Sequence, residues 1–536
     1  MLGYDSSQPW GVGLGLFKEV KRVFKDTAIY GLGSLLPKAA GFILVPIMTR
    51  YLTKADYGIT SLVMMIASML GVVMMLGQNG AITLHMRTLH TEGRHDEAGI
   101  MLFSSVAFTL VFAAVVFGVL MAAGPTLTPW LMHSDTFTFD PFMATAFALA
   151  FIGVPLDLLQ AVNRAKGQAK FHTVFQLSYF ALNTTVTIIF VVLLRQGAFG
   201  FLKGNLAAEI VLAPIALYVL ARNMKFKFSK KWAWASLLFG LPLIPHFFAG
   251  WILTFADRFM LERLRSLEEV GLYALAYNLS MILNLMTTAI NQAWAPVYYD
   301  LASRPDERGK LPRLTTVYAT AVTAAAAAYM LFSREVLLLL AAPKFHAAAP
   351  LVPIVVAGYY GFAMYAVLST GIFYAKKTKI VPLISVAAAA LNIGLNWLLI
   401  PYYGMWAAAW DTLIAYAFMA VLARIITGRL FPGSFEDGRL LRLVAIFGTA
   451  FLANFGVNAL PFSVWVTLAL KILLFASVMA SFVVLRVITT AELRSVIRRV
   501  TRRVRGKRPA TPAEEAALQA IATEAEGTEA EDYGPE

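Results

Sequence analysis

The chain has 536 residues, 59% hydrophobic and 14% charged, with a formal net charge of +14 and a mean hydropathy of +0.68. A water-soluble domain needs a more highly charged surface, so the chain is read in lipid, and apolar runs from Thr27 to Arg486 leave no room for a separate soluble catalytic domain. The absence of cysteine excludes thiol catalysis, disulfides and cysteine metal sites.

Apolar blocks of about twenty residues, without the period-two alternation of a barrel, predict an all-α polytopic membrane protein with about 14 transmembrane helices. A basic segment, 1–25, comes first; Lys18, Lys21, Arg22 and Lys25 precede the first apolar block without a cleavage site and read as uncleaved. Spans are then predicted at 26–49, 57–78, 98–124, 141–162, 174–194 and 200–221, which make an N-lobe over 26–221. A linker at 222–234 leads to spans at 235–257, 270–295, 314–333, 353–375, 380–400 and 404–424, a C-lobe over 235–424. Two further spans, 443–460 and 463–487, occupy 425–488. The tail, 489–536, is basic from Arg494 to Arg508 and acidic from Pro509 to Glu536; a membrane-hugging helix followed by disorder is expected.

With the N-terminus inside, the cytoplasmic segments collect most of the 45 Lys and Arg, which predicts both termini in the cytoplasm. Clusters such as Lys225, Lys227, Lys230 and Lys231 suit anionic lipid heads and account for the charge without nucleic acid.

Three features recur about 210 residues apart. Arg50-Tyr-Leu-Thr-Lys-Ala-Asp-Tyr-Gly58 parallels Arg263-Leu-Arg-Ser-Leu-Glu-Glu-Val-Gly271, Ala165-Lys-Gly-Gln-Ala-Lys170 parallels Ala375-Lys-Lys-Thr-Lys379, and Ala181-Leu-Asn183 parallels Ala390-Leu-Asn392. An even number of spans separates the copies, so two six-helix lobes of the same orientation are expected, with a site and alternating access between them and the last two helices as an appendage.

The same stretches carry a family resemblance. Tyr30-Gly-Leu-Gly-Ser-Leu-Leu-Pro-Lys38 with Val45-Pro-Ile-Met-Thr-Arg50, Ala256-Asp-Arg-Phe-Met260, and Leu391-Asn-Ile-Gly-Leu-Asn-Trp397 resemble the polysaccharide transporters, including Wzx-type flippases, of the multidrug/oligosaccharidyl-lipid/polysaccharide exporter superfamily. The likeness covers roughly residues 20–425. It implies a bacterial inner-membrane flippase for polyprenyl-pyrophosphate-linked oligosaccharide in a surface-polysaccharide pathway, with polysaccharide polymerase and chain-length proteins as partners alongside membrane lipids.

A charged headgroup crosses hydrocarbon only if a polar cavity replaces water, so donors are sought within spans. Lys38, mid-span between Pro37 and Gly41, and Arg258, expected to end its span beside Asp257, are the cationic candidates for such a cavity; Arg258 reads equally as half of a local ion pair. Asn278, Asn284, Asn291 and Gln292 recur along the eighth span, where amides serve sugar hydroxyls or glue helices together. Glu209 and Asp411, following small-residue stretches at matching depths of the two lobes, and Asp257 are candidates for coupling to H+ or Na+; neutralising a nearby Lys or Arg is the plainer reading. Arg50 and Arg263 read as anchors of helix ends, and Asp157 as a structural partner of Arg164. No other cofactor, metal or enzymatic activity is expected: the outer loops offer only isolated His133 and His346, and no phosphate-binding loop for ATP is present. The open alternatives are an ion-coupled exporter of drugs or of another lipid-linked precursor, and a scaffold that transports nothing.

Overall fold

The structure is a computed structural model that describes residues 42, 44–377, 379–431 and 435–489. Lys38, the basic segment 1–25, most of the first predicted span and the tail beyond residue 489 lie outside the described residues. Among the described residues the regular structure is helical, with no strand. The helices are α1 (44–51), α2 (Lys54–Met75), α3 (Gln78–Thr91), α4 (His95–Leu131), α5 (Ala144–Lys166), α6 (Ala169–Ile188), α7 (Gly197–Ala221), α8 (Lys230–Gly240) and α9 (Ile244–Leu264). They continue as α10 (Leu267–Ser303), α11 (Leu311–Leu340), α12 (Val352–Tyr374), α13 (Ile380–Tyr403), α14 (Met405–Leu430), α15 (Asp437–Ala459) and α16 (Val464–Val484). Within the described residues 12 helices are long and apolar enough to cross a membrane, or 13 with the bent pair α8 and α9 taken as one span.

The sequence pattern explains where these helices begin and break. Thr53 starts α2 with a reciprocal cap, its hydroxyl accepting from the Asp56 N–H while the Asp56 carboxylate accepts from the Thr53 N–H, each at 3.0 Å. α2 ends where Leu76 and Gly77 turn into the left-handed region, and α3 follows, a helix that the apolar runs did not predict because its sequence is mixed. Its apolar stripe, Ile82, Met86 and Leu89, is buried at helical spacing. The seventh predicted span is broken by 45° between α8 and α9 across Leu241–Leu243. It also runs past its predicted end, so that Arg258 lies inside α9 rather than at its terminus. The continuation Met260-Leu-Glu-Arg-Leu264 mixes apolar and charged residues, which hydropathy reads as loop although it continues the helix.

Contacts divide the chain into two units, one of residues up to 303 together with 329–432, the other of 304–328 with residues from 433 onward. In the first, α2 through α7, the N-lobe of the sequence, pack on one another, and so do α9, α10, α12, α13 and α14 of the C-lobe, with α12 buried on nearly every side; α2 also packs on α10 and α9, so the two groups share an extensive contact. The broken span is shared between the lobes: α8 packs on α3 and α4, whereas α9 packs mainly on α13 and also on α2, α10 and α14. The break in α2 and the break after α8 touch each other. A Cβ on Gly77 would meet the Gly240 carbonyl oxygen at 2.5 Å, and one on Gly240 the Leu76 carbonyl oxygen at 2.2 Å, so only glycine allows this crossing.

The second unit is smaller. In it α15 packs on α16, and Arg313 joins Glu436 at 3.4 Å while donating to the Val487 carbonyl at 2.8 Å. Lys471 of α16 is fully enclosed.

Candidate functional site

In the N-lobe, α2 and α5 face each other with small residues on matching stripes. Ala67 and Gly71 of α2 and Ala150 and Gly153 of α5 leave space where larger side chains would meet, and a cavity of about 440 Å3 fills it. Gly153 directly faces the Glu209 carboxyl of α7: a Cβ there would lie 3.7 Å from Oε1. One turn along α5 is Asp157, whose charge Glu209 feels, and a further turn on is Gln160. From α6 come Gln176 and Tyr179, the latter a hydrogen-bond partner of Glu209, and Phe175; α9 adds Phe247. Glu209 Oε2 and Gln160 Oε1 are buried without a hydrogen-bond partner, so the wall holds unused polar capacity. Asp157 interacts electrostatically with Arg164, as the sequence suggested, and lines the cavity as well.

The C-lobe treats its charges differently. Asp257 and Arg258 are each 1% exposed, their groups 3.7 Å apart, and Arg258 donates to the Thr254 carbonyl at 2.5 Å. Aromatic faces surround the guanidinium, with Tyr277 4.5 Å, Phe255 5.1 Å and Tyr273 5.7 Å from it. The Tyr273 hydroxyl donates to Asp257, and Tyr277 meets Tyr416 of α14 at 3.3 Å. Asp411 on the same helix is fully enclosed with neither carboxylate oxygen hydrogen-bonded. Arg258 is thus caged, and the matching depth read for Glu209 and Asp411 does not make them equivalent: one lines a cavity, the other is sealed.

Cations were expected in the cavity; among the described residues its charged groups are Asp157 and Glu209. Arg258 is held in its cage and does not line the cavity, and Lys38 lies outside the described residues. Nor do the amides of α10 line the cavity. Asn278 is exposed and donates to the Tyr57 hydroxyl at 3.4 Å, Gln292 is exposed, Asn284 is half-buried, and Asn291 keeps a buried, unpartnered Oδ1.

The end of the bundle formed by the α1–α2 and α9–α10 connections is shut. The repeat-related glycines meet there, since a Cβ on Gly58 would lie 2.2 Å from the Leu267 carbonyl oxygen and one on Gly271 2.0 Å from that of Lys54. Lys54 pairs with Glu268 at 3.5 Å across the same crossing. Arg263 donates to the Trp130 carbonyl at 3.1 Å, while the exposed Arg50 gives its own carbonyl to Lys344 at 3.1 Å. Glu262, unremarked in the sequence, is 2% exposed and accepts from the His133 and Ser134 N–H groups at 2.8 Å each. Gln160, Gln176 and Tyr179 were missed too; the available signal was Gly153, Asp157 and Gln160 at helical spacing within one span. The cavity extends from mid-helix toward the other end, reaching Asn79 and Gln160.

The profile of a family described as polysaccharide biosynthesis protein matches residues 23–301, just over half of the chain, and the MatE profile matches residues 242–398. A protein of the Lsg locus of Haemophilus influenzae is 24% identical over 289 residues, which cover 52% of this chain and 66% of that protein. An uncharacterized membrane protein of the same organism is 25% identical over 289 residues, covering 52% and 65%. Each match spans slightly less than two thirds of the relative's length. Among solved structures, the lipid II flippase MurJ in an inward closed conformation aligns with a TM-score of 0.63 at 14% identity, covering 85% of this chain and 98% of that one. An inward-facing multidrug resistance MATE family transporter aligns with a TM-score of 0.56 at 14% identity, covering 75% and 98%. These likenesses establish the fold.

Proposed function

The chain belongs to the polysaccharide biosynthesis protein family, and on that premise we propose that it is a flippase carrying polyprenyl-diphosphate-linked oligosaccharide from the inner to the outer leaflet of a bacterial inner membrane. The observation that carries this reading is the N-lobe cavity. Carboxylates and amides (Asp157, Glu209, Gln160, Gln176) are the groups that hydrogen-bond sugar hydroxyls, and Phe175 and Tyr179 offer rings against which a sugar face can lie. The Lys/Arg-rich end, toward which the cavity extends, faces the cytoplasm in this reading, and both termini lie there. The sugars enter, the lipid tail stays in hydrocarbon, and the lobes rock to expose the cavity at the end now held by Gly58 and Gly271. An inside-negative potential favours outward movement of two negative charges by about 4.6 kcal/mol per 100 mV. Asp157 and Glu209 together offer a place for H+ or Na+, and Asp411 and Asp257 a second, sealed one.

The test is flipping of a fluorescent polyprenyl-diphosphate oligosaccharide in proteoliposomes. Transport by the wild type, reduced at least about tenfold in Gln176→Ala with Gln160→Ala, is expected from the loss of several hydrogen bonds. No flipping of any such lipid by folded protein would defeat the proposal. A second reading, export of cationic drugs, is favoured by the acidic lining; energised uptake of ethidium into the same vesicles, absent with Glu209→Gln, would decide for it.

A further inference from the structure

A second cavity, of about 450 Å3, lies between the last turns of α3 and the α5–α6 connection. Arg87, His90, Thr91, Ala165, Lys166 and Gln168 line it, three of them basic and none acidic. The neighbouring acids are engaged elsewhere: Glu92 and Glu97 hold Arg94 at 2.6 Å each, and Asp96 meets Lys225 at 3.2 Å. Lys166 donates to a neutral amide, Asn223 Oδ1, and Arg87 has no ion-pair partner among the described residues. His90 and His95 share a hydrogen bond between their Nδ1 atoms at 2.8 Å, which leaves the His90 Nε2 buried and unpartnered. Burial first, then His95 and Lys166, holds this imidazole below its ordinary pKa. The two cations, Arg87 and Lys166, with the His90 ring nitrogen beside them, lack only an anion, and a guanidinium beside an ammonium suits the several oxygens of a phosphate group.

The position is as informative as the composition. Arg87 follows Asn79 by eight residues on α3 and Lys166 follows Gln160 by six on α5, so at about 1.5 Å per residue the basic pocket lies about 12 and 9 Å beyond the last amides of the N-lobe cavity. Two packed helices therefore carry, in line, a hydroxyl-binding cavity and an anion pocket.

We propose that Arg87, His90 and Lys166 form a docking site for the diphosphate of a lipid-linked substrate, from which the attached sugars reach the N-lobe cavity. The proposal rests on the flippase reading and adds to it the place where the charged linkage is held. These residues sit at the ends of their helices, where the headgroups of a leaflet lie, so the diphosphate docks at headgroup level, before it crosses, while the sugars enter the cavity.

The test uses the full-length protein in nanodiscs of zwitterionic lipid, with farnesyl diphosphate as probe and microscale thermophoresis as readout. Arg87→Ala with Lys166→Ala should weaken binding at least about 100-fold, two charge-assisted hydrogen bonds being lost. Arg87→Lys with Lys166→Arg should retain most of it, and Arg94→Ala, whose guanidinium is already paired, should stay within about twofold. Equal affinity of wild type and double alanine variant, both folded by circular dichroism, overturns the site. Inorganic pyrophosphate binding as tightly as farnesyl diphosphate overturns the lipid as its source, and displacement by equimolar phosphatidylglycerol overturns the preference for a diphosphate. If farnesyl diphosphate binds and the variant loses it while no sugar-lipid is flipped, the site stands and the transport reading falls. If the variant binds farnesyl diphosphate and flips sugar-lipid like the wild type, the transport reading stands and the site falls.

Discussion

Glu209 and Asp411 each sit on the last helix of a lobe, yet their surroundings differ in kind. Glu209 faces a glycine, shares a cavity with Asp157 and leaves one oxygen unpartnered, whereas Asp411 is fully enclosed within reach of the Asp257 charge, in a lobe whose tyrosines meet tilted or edge-on. The size of the facing residues makes the difference. Ala150 and Gly153 open the N-lobe; Tyr273, Tyr277, Tyr359 and Tyr416 fill the C-lobe. A repeated pattern of spans can therefore yield one lobe that holds a polar cavity and one that buries its charges as a rigid counterpart.

The comparison can be broken most forcefully at the cage. Asp257→Ala leaves Arg258 buried without its carboxylate and should cost about 3–5 kcal/mol, read as a lowered thermal unfolding midpoint in detergent. Replacing both partners by apolar residues, Asp257→Leu with Arg258→Met, should recover most of the loss, because no uncompensated charge remains; failure to recover would make the pair functional rather than architectural. Next in size is Gly271→Val, whose side chain would press on the Lys54 backbone and should cost about 1–3 kcal/mol or force the crossing apart. Because the chain has no cysteine, a Lys54→Cys, Glu268→Cys pair reports on that crossing alone: a bifunctional maleimide that spans the place of the lost ion pair should join the two and block transport, and Gly271→Val should suppress the cross-link.

Smaller effects sharpen the contrast. Tyr277→Phe removes the contact with Tyr416 and should cost about 0.5–1.5 kcal/mol. Glu209→Gln, which keeps the shape of a side chain that lines the cavity, should change stability by less than about 1 kcal/mol yet reduce flipping at least about tenfold, with Asp411→Asn giving the smaller loss of transport. The reverse order would move the working site to the C-lobe. Lys54→Ala, which removes a partly exposed pair, should cost at most about 1 kcal/mol.

The candidate site was only partly legible in the sequence. Glu209 and Asp157 stood out because a carboxyl within a span is rare and costly, but nothing local said that one lines a cavity while Asp411 does not. Gln160, Gln176 and Tyr179 were hidden because an amide or phenol within an apolar run reads equally as interhelical glue. Arg87, His90 and Lys166 were hidden for another reason: basic residues are expected at that end of any such protein, so their lack of carboxylate partners shows only in three dimensions.

What the sequence determined by itself was the helical class, the succession of spans and the glycines that repeat across the lobes, because burial of backbone polar groups in hydrocarbon admits only helices of a certain length and because a close helix crossing admits only glycine. The tertiary structure alone decided that α3 is a separate helix, that the seventh span is divided between the lobes, and which charges are open and which are caged. Those outcomes depend on which faces of helices far apart in the chain come together, and side-chain volume at such contacts has no signature in the hydropathy of either helix.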